Sequence, residues 1–258
     1  MKFDPLNDGI SSVQLLTHMG DDLMVVNAAR VSMAKESEWE IDPDSRVISC
    51  APRLKLSAKD EKLIRYLARH KHWTPFSHPQ VQLRIKMPIF VARQWFKHTV
   101  GFTRNEVSRR YVDDAPEFYV PKEWRKRAEN VKQGSSDELV TEIIHPEGAS
   151  DLWGDFDNKF HPTLHVQYSF QCDLDMYNTL LASGVCPEQA RMVLPQAMYS
   201  EFFETGSLAA YARLASLRLD PHAQKETRAY AQAVDAIMSE LFPVSWEALM
   251  EAAKGQQV

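Results

Sequence analysis

The segment from Val91 to Tyr111, VARQWFKHTVGFTRNEVSRRY, brings together the kinds of side chain that bind a small, flat and negatively charged molecule. Its five Arg and Lys residues accompany a single acid, Glu106. Arginine offers paired planar donors for phosphate or carbonyl oxygens, Ser108 can add a directional hydrogen bond, and the aromatic rings can lie against a heterocycle. The composition therefore indicates a nucleotide-binding surface, although an amphipathic helix with one buried aromatic face would have the same composition.

Histidine is concentrated in a second segment, His70–His78 (HKHWTPFSH). Three histidines suggest zinc, but this segment has no Cys, Asp or Glu to complete a tetrahedral set of ligands. Pro75 fixes a turn, so we expect a loop that places His72 and Thr74 beside a ligand. The alternative is a structural turn with exposed histidines.

The sequence lacks the short motifs of the common nucleotide and hydrolase sites. It contains no GxGxxG, no GxxxxGK[ST] and no GxSxG. His161 and His165 have the spacing of a zinc-binding helix, but the acid of HExxH is missing between them. We therefore expect no metal site, and a nucleotide would have to be held by side chains from several segments.

The composition is that of a soluble globular protein, with 44% hydrophobic and 25% charged residues in 258. A net charge of −5 argues against a nucleic-acid partner. No apolar run is long enough to span a bilayer, and the N-terminus lacks the apolar core of a signal peptide. The three cysteines, Cys50, Cys172 and Cys186, are an odd number at unrelated spacings, so we expect free thiols and a cytoplasmic protein.

Hydrophobic periodicity and capping residues predict the elements that position these groups. Residues 81–87 alternate between apolar and polar, as in a half-buried strand, and Gly101 allows a bend inside the basic segment. The predicted elements of the first half are the strand Val13–Met19, a helix capped by Asp21 or Asp22, a helix capped by Ser57 with Asp60 in a capping box, the strand Val81–Met87 and the helix Ile89–His98.

From Thr163 onward we expect only helices. They are a long helix from Thr163 that ends at Ser183-Gly184, a short one opened by Pro187, and helices that begin at Ser207, at Asp220-Pro221 and at Ser245. Residues 113–162 are rich in Pro and Gly and predict a surface insertion of loops and short helices, including the charged piece KEWRKRAEN. We predict one α+β domain over residues 1–258, rich in helices, with a small and mostly antiparallel sheet.

Six runs of this sequence resemble flavin-dependent thymidylate synthases in order and spacing. They are AARVS (Ala28–Ser32), HKHWTPFSH, MPIFVARQWFKH, NEVSRRY, EQARMVLP and LRLDPHAQKETRAYA. The similarity spans almost the whole chain apart from residues 36–52 and 113–162. It implies the fold of that family and the methylation of dUMP at carbon 5, with methylenetetrahydrofolate as one-carbon donor, FAD as hydride carrier and NADPH as reductant. It also implies a homotetramer with shared active sites.

The resemblance also assigns roles to individual residues. Arg218 matches the arginine that stabilises the ionised pyrimidine, so that no cysteine nucleophile is needed, and Ser108 is interpreted as a hydrogen-bonding group rather than a nucleophile. The residues expected at the dUMP site are Gln94, Lys97, Glu106, Ser108, Arg109, Arg110, Arg191 and Arg218. The residues expected to contact FAD are His72, Thr74, Lys97, His98, Thr99, Glu106, Ser207 and Arg213.

The sequence departs from the family pattern on the flavin side. Lys97-His98-Thr99 stands where the family has Arg-His-Arg, and one extra residue lies between His98 and Asn105. The loss of two guanidinium groups should weaken or reroute contacts to the flavin phosphates, and Arg104, Arg109 or Arg213 could replace them. We therefore expect a variant subgroup of the family.

Two other functions fit parts of the sequence. A nucleic-acid-binding protein could use the segment 91–111 with its interleaved aromatic residues, and would bind single strands in a salt-sensitive way without flavin. A degenerate relative of the family, kept as a structural or regulatory subunit, would bind nucleotide without turnover.

Overall fold

A computed structural model describes residues 1–43, 53–112, 114–129, 134–144 and 159–255. The strands in this part are β1 (Lys2–Phe3), β2 (Ser12–Met19), β3 (Glu40–Ile41), β4 (Leu54–Lys55), β5 (Gln80–Pro88), β6 (Phe102–Glu106), β7 (Arg125–Arg127), β8 (Ser135–Leu139), β9 (Ile143–Ile144), β10 (Lys159–Phe160) and β11 (Tyr199–Ser207). The α-helices are α1 (Asp22–Arg30), α2 (Ala58–Arg69), α3 (Ile89–Trp95), α4 (Pro162–Ala182), α5 (Pro187–Ala190), α6 (Leu208–Arg218), α7 (Lys225–Leu241) and α8 (Pro243–Lys254). Short 3-10 helices cover Val31–Met33, Pro75–Ser77 and Arg191–Val193.

Five strands form an antiparallel sheet in the order β1-β2-β5-β11-β6. Helices α2, α6, α7 and α8 pack against one another and enclose one hydrophobic core with the sheet. The other described strands form two-stranded pairs. The predicted α+β class, rich in helices with a small antiparallel sheet, is confirmed.

Strand β5 shows why the sheet has one buried face. Val81, Leu83, Ile85 and Met87 are fully buried, and the alternating side chains, such as Arg84, lie on the opposite, polar face. This is the pattern that the alternation of residue types predicts. The prediction for this strand is confirmed.

The central strand β11 contradicts the expectation that everything after Thr163 is helical. Tyr199–Ser207 pairs with β5 along its whole length and with β6 on its other side. The inward positions of this strand include a carboxylate, Glu204, and a glycine, Gly206. The alternation of apolar and polar residues that marks a half-buried strand is therefore absent here, because Glu204 and Gly206 occupy inward positions.

Capping residues fix the starts of three helices as predicted. The side chains of Asp21, Ser57 and Ser207 accept hydrogen bonds from backbone N–H groups in the first turns of α1, α2 and α6. The long helix α4 ends as expected at Ser183, followed by Gly184 with a φ of +84°. No helix in the described ranges is both long and apolar enough to cross a membrane.

Two late helices begin at other residues than predicted. Helix α7 starts at Lys225 rather than at Pro221. Helix α8 starts at Pro243 rather than at Ser245, because the buried carboxylate of Asp22 accepts hydrogen bonds from the N–H groups of Val244 and Ser245 at 2.9 and 2.8 Å. A carboxylate from a distant helix thus caps α8, which no local motif indicates.

The charged piece KEWRKRAEN was expected to be helical, and this prediction is wrong. Residues Arg125–Arg127 form strand β7 and pair with β8 as an antiparallel hairpin. Arg125 Nε donates to Ser135 Oγ at 2.8 Å across the hairpin, and Lys126 pairs with Glu138. The cross-strand partners override the helical preference of the isolated segment. The remaining described parts of 113–162 contain short strands, β9 and β10, rather than short helices.

Candidate functional site

Arg218 lies in the last turn of α6 and is held by two acceptors. Its Nε donates to His98 Nε2 at 3.0 Å, and its Nη2 donates to the carbonyl oxygen of Gln94 at 3.3 Å. Its side chain is half-buried, and burial lowers the pKa of its guanidinium from the usual value. The chain therefore fixes two nitrogens of this guanidinium and leaves Nη1 without a hydrogen bond among the described residues.

His98 is a neutral hydrogen-bond acceptor in this arrangement. Burial, together with the guanidinium groups of Arg218, Arg104 and Arg213, lowers the pKa of His98 to about 4. A neutral ring that accepts at Nε2 carries its proton on Nδ1. The imidazole therefore orients Arg218 without adding a competing charge at neutral pH.

A buried carboxylate, Glu204, holds the turn that carries His98. Trp95 Nε1 donates to its two oxygens at 3.1 and 3.2 Å, and Arg104 Nε donates to Oε2. Arg104 Nη1 continues to the carbonyl oxygen of His98 at 2.6 Å. Helix α3 ends at Trp95 and not at the predicted His98, because the N–H groups of Lys97 and His98 donate to carbonyl oxygens three residues back and no longer follow the α-helical pattern.

Arg104 is accordingly packed at the edge of the core, where it pairs with Glu204. Its guanidinium lies 5.2 Å from the ring of Phe96 and 4.7 Å from that of Phe102, and its side chain is 14% exposed. Burial raises the pKa of the Glu204 carboxyl, and the ion pair with Arg104 acts in the opposite direction. Sequence reasoning missed Glu204 because nothing near it in the chain indicates its partners.

Gly101 shapes the next part of the turn, with a φ of +80°. Arg213 reaches this turn from α6 and donates through Nη2 to the carbonyl oxygen of Val100 at 2.8 Å. Lys97 and Thr99 are exposed on the same turn. Ser207, by contrast, is buried, and its hydroxyl accepts the N–H of Ala210 at 3.2 Å as the cap of α6.

A polar cavity beside Arg218 has a volume of about 530 Å³. Gln94 and Arg218 form one side, and His222, Gln224 and Arg228 form another. Residues of the β7–β8 hairpin close it. The walls therefore offer several cations and two amides to a ligand.

An apolar groove of about 360 Å³ lies on the other side of α6. It is lined by His72, Trp73, Phe76, Ala212 and Arg213, among others. Trp73 is 60% exposed, and Thr74 is also exposed. The groove thus lies between the loop of His72 and helix α6 with Arg213, two segments that only the family resemblance had assigned to one site.

A third group of expected site residues lies at the end of the edge strand β6. Glu106 is exposed and accepts a hydrogen bond from the Ser200 hydroxyl. Ser108 Oγ accepts from the backbone N–H of Arg110 at 3.3 Å and from its Nε at 3.4 Å, and Arg109 donates to the carbonyl oxygen of Asp114.

Arg191 stands apart from these groups. It is exposed on the 3-10 helix that follows α5, and its side chain has no hydrogen bond or ion pair within the described part of the chain. Neither Arg191 nor Arg110 lines the cavity of Arg218. One chain therefore brings Gln94, His98 and Arg218 together, whereas Arg110 and Arg191 lie outside this cavity. Among the residues described, no group of three or more His, Cys, Asp or Glu could hold a metal ion.

Comparisons with known proteins agree with this architecture. The family model for the thymidylate synthase complementing protein, Thy1, matches residues 14–244. The flavin-dependent thymidylate synthase of Thermosipho melanesiensis is 35% identical over 251 residues, or 97% of this chain and 94% of the relative. The flavin-dependent thymidylate synthase of Thermus thermophilus is 36% identical over 242 residues, or 93% of this chain and 75% of the relative.

Two solved structures of PolB, a UMP/dUMP methylase from Streptomyces cacaoi, have a similar fold. The structure bound with 5-Br dUMP has a TM-score of 0.69 at 27% identity and covers 93% of this chain and 95% of that one. The structure bound with 5-Br UMP has a TM-score of 0.71 at 25% identity and covers 95% of each chain. The antiparallel sheet and its cover of helices thus define the fold class of these methylases. The chain belongs to the flavin-dependent thymidylate synthase family, whose members are methyltransferases.

Proposed function

We propose that this enzyme methylates dUMP to dTMP, with methylenetetrahydrofolate as one-carbon donor and with FAD carrying hydride from NADPH. The observation that carries the proposal is the match to flavin-dependent thymidylate synthases over nearly the whole chain. It is supported by PolB, a structural neighbour that is bound with 5-Br dUMP. The polar cavity beside Arg218 is large enough for a nucleotide and lined by groups that suit one.

Arg218 is the residue that activates the pyrimidine in this proposal. Its Nε and Nη2 are fixed by His98 and Gln94, so that Nη1 is available for a ligand oxygen. A guanidinium fixed before the ligand arrives stabilises negative charge on a pyrimidine ring without reorganising. Carbon 5 of the anionic ring is then nucleophilic, and no protein thiol is required. The exposed thiols of Cys172 and Cys186 do not line the cavity.

The remaining dUMP contacts come from two surfaces of the protein. Gln94 lines the Arg218 cavity and Lys97 lies on the turn that follows it. Glu106, Ser108, Arg109 and Arg110 lie at the end of β6 and would hold phosphate or uracil oxygens, with Ser108 as a hydrogen-bonding group. Arg191 would add a further guanidinium. Because the groups around Arg110 and Arg191 do not line the Arg218 cavity of the same chain, they are suited to complete the site of a neighbouring copy.

The proposal includes a homotetramer with shared active sites. Helix α4 exposes an apolar stripe that includes Leu164, Tyr168 and Met176, which are 68%, 56% and 52% exposed. The 3-10 helix that carries Arg191 packs against α4, and its Met192 is 78% exposed. Large apolar side chains that are exposed in the single chain are typical of an interface, so the packing of copies through α4 would also position Arg191.

The residues assigned to FAD fit the chemistry of that cofactor. The groove beside α6 offers the exposed ring of Trp73 for a flat heterocycle and the cation of Arg213 for a phosphate. His72 lines the groove, and Thr74 is exposed on the same loop. Lys97, His98, Thr99 and Glu106 would complete the contacts, and Ser207 would act through its cap on the helix that presents Arg213. When bound, FAD supplies the hydride that the reductive methylation requires.

The absorption spectrum of the purified protein tests this proposal. We expect a yellow protein whose flavin bands shift when dUMP is added, and which forms dTMP when methylenetetrahydrofolate and NADPH are supplied. A well-folded, colourless protein that takes up no added FAD would contradict the proposal. Salt-sensitive binding of single-stranded nucleic acid by such a protein would favour the nucleic-acid alternative. Flavin and dUMP binding without turnover would favour the degenerate relative.

The proposal includes a cytoplasmic setting without nucleic-acid or membrane partners. The thiols of Cys172 and Cys186 are free and exposed, which suits a reducing compartment. Fractionation of the native cells is the direct test of this location.

A further inference from the structure

The β7–β8 hairpin forms one wall of the cavity that Arg218 and Gln94 line. Arg125 and Ser135, whose side chains are hydrogen-bonded to each other, both line this cavity. The hairpin belongs to residues 113–162, which contain none of the six runs described in the sequence analysis. Its position therefore gives a part of the chain without any assigned role direct access to the proposed site.

A half-buried ion pair anchors the hairpin to the first turn of α7. Arg125 Nη2 donates to both carboxylate oxygens of Glu226, at 2.8 and 3.1 Å. The side chains of Arg125 and Glu226 are only 18% and 7% exposed. Because both charges are largely removed from water, the pair holds its geometry more firmly than a surface pair does.

Two glutamine amides extend this pair towards Arg218. Gln224 Nε2 donates to Glu226 Oε2 at 2.9 Å, and Gln94 Nε2 donates to Gln224 Oε1. The backbone carbonyl oxygen of Gln94, by contrast with its side-chain amide, accepts a hydrogen bond from Arg218. Four side chains thus form an unbroken row from the hairpin to the proposed substrate pocket.

The charge of Glu226 determines the direction of every amide in this row. An ionised carboxylate only accepts hydrogen bonds, so Gln224 must turn its NH₂ group towards Glu226. Its amide oxygen then faces Gln94, and Gln94 must turn its own NH₂ group towards that oxygen. The hydroxyl of Thr227, 3.5 Å from Gln94 Oε1, suits the same orientation. The amide of Gln94 is therefore held in one of its two orientations.

We propose that Arg125 and Glu226 position the amide of Gln94 so that the site accepts uracil and rejects cytosine. The inference rests on the proposed function, in which Gln94 contacts dUMP, and it assigns this contact to the pyrimidine ring. Uracil presents N3–H as a donor and O4 as an acceptor, whereas cytosine presents N3 as an acceptor and an amino group as a donor. An amide that cannot turn over matches only one of these two patterns. Arg125 is thus a positioning residue that acts on the substrate through Glu226, Gln224 and Gln94.

The test is the ratio of the dissociation constants of the holoenzyme for dCMP and dUMP, measured by calorimetry. Glu226→Gln keeps the shape of the side chain but lets Gln224 and Gln94 turn over. We expect the ratio to fall by about tenfold, because one correctly directed hydrogen bond in a site is lost. Gln224→Met cuts the row without touching the ion pair and should lower the ratio similarly. Arg125→Met should also lower it, with recovery in Arg125→Lys.

Lys126→Met is the matched control, because it removes a cation of the same hairpin whose pair with Glu138 is exposed. Its ratio should equal that of the wild type. An unchanged ratio in folded Glu226→Gln and Gln224→Met, while the wild type prefers dUMP, would overturn the inference and leave the proposed function intact. An equal fall in Lys126→Met would also overturn it. A wild type that binds neither nucleotide would instead contradict the proposed function.

Discussion

Replacement of Glu204 by Gln should destabilise the protein strongly, because it removes a charge from the core. Glu204 is completely buried, and the Arg104 side chain is 14% exposed. Gln keeps the shape and an acceptor for Trp95, but it cannot neutralise the guanidinium. Arg104 Nη2 is already buried without a hydrogen-bond partner among the described residues. Among the described residues, Glu204 is the only carboxylate in an ion pair with Arg104.

The structure sets the size of this effect. Removing one partner of a buried ion pair costs about 3–5 kcal/mol, and each kcal/mol lowers the melting temperature of a chain of this size by roughly 2–4 °C. The melting temperature of Glu204→Gln should therefore fall by at least about 6 °C. Glu201→Gln on the same strand is the control, because Glu201 pairs with Arg84 on the exposed face at 2.8 Å. Exposed pairs contribute about 0–1 kcal/mol, so this variant should lose less than about 4 °C.

Calorimetry and urea denaturation at one fixed protein concentration measure both variants, because association makes the melting temperature depend on concentration. A double variant, Arg104→Met with Glu204→Gln, should be more stable than the sum of the two single losses predicts, since it leaves no unpaired charge. The reasoning about the buried pair is wrong if the free energy of unfolding of Glu204→Gln lies within about 1 kcal/mol of the wild-type value, which is the range typical of exposed pairs. It is also wrong if the free energies lost in the two single variants simply add in the double variant.

Three further changes probe the elements around the site. The pKa of His98 is about 4 in the folded protein and about 6.5 in an unfolded chain, so the unfolded chain binds more protons between these values. The free energy of unfolding should then fall as the pH drops from about 6.5 to about 4. In urea denaturation at several pH values, His98→Asn should reduce this loss of unfolding free energy, and replacement of the exposed His78 by Asn should not. If His98→Asn and the wild type lose the same free energy of unfolding with falling pH, the lowered pKa of His98 is refuted. A Cβ at Gly206 would lie 2.6 Å from ring carbons of Phe102, so Gly206→Ala should cost about 1–3 kcal/mol, and a calorimetric melting temperature equal to that of the wild type would show that the ring moves freely. Ser57→Ala removes the cap of α2 and should cost about 1 kcal/mol in urea denaturation, whereas no loss would mean that the cap is dispensable.

Local patterns in the sequence were sufficient to predict an element where that element is stabilised by residues close to it in the chain. The alternation in Val81–Met87 and the caps at Asp21, Ser57 and Ser207 predicted elements that the structure confirms. In each case the cause lies within a few residues of its effect: a side-chain oxygen satisfies the free N–H groups of the next turn, or every second side chain enters the core.

The errors concern residues whose partners are distant in the chain. Strand β11 was missed because its inward carboxylate, Glu204, pairs with Arg104 from another strand. The start of α8 was misplaced because Asp22 caps it from α1. Strand β7 was taken for part of a helix because its stability comes from cross-strand partners and from the pair of Arg125 with Glu226. No pattern within a short window contains these contacts.

The candidate site could be predicted in part for the same reason. His98 and Gln94 were assigned to the site through the family resemblance, and the structure brings both to Arg218. The row from Arg125 to Gln94 was not indicated, because it depends on a hairpin that the sequence did not predict. Arg110 and Arg191 do not line the Arg218 cavity of the same chain, which is consistent with a site completed by another copy.

The rate of dTMP formation by Arg218→Ala, measured together with its affinity for dUMP, tests the central claim most directly. If the fixed guanidinium of Arg218 stabilises the ionised pyrimidine, turnover should fall by about 10²–10³-fold or more, while the affinity for dUMP falls much less. Arg65→Ala, which removes an exposed guanidinium on α2, should retain the wild-type rate. An unchanged rate of dTMP formation in Arg218→Ala would contradict the account.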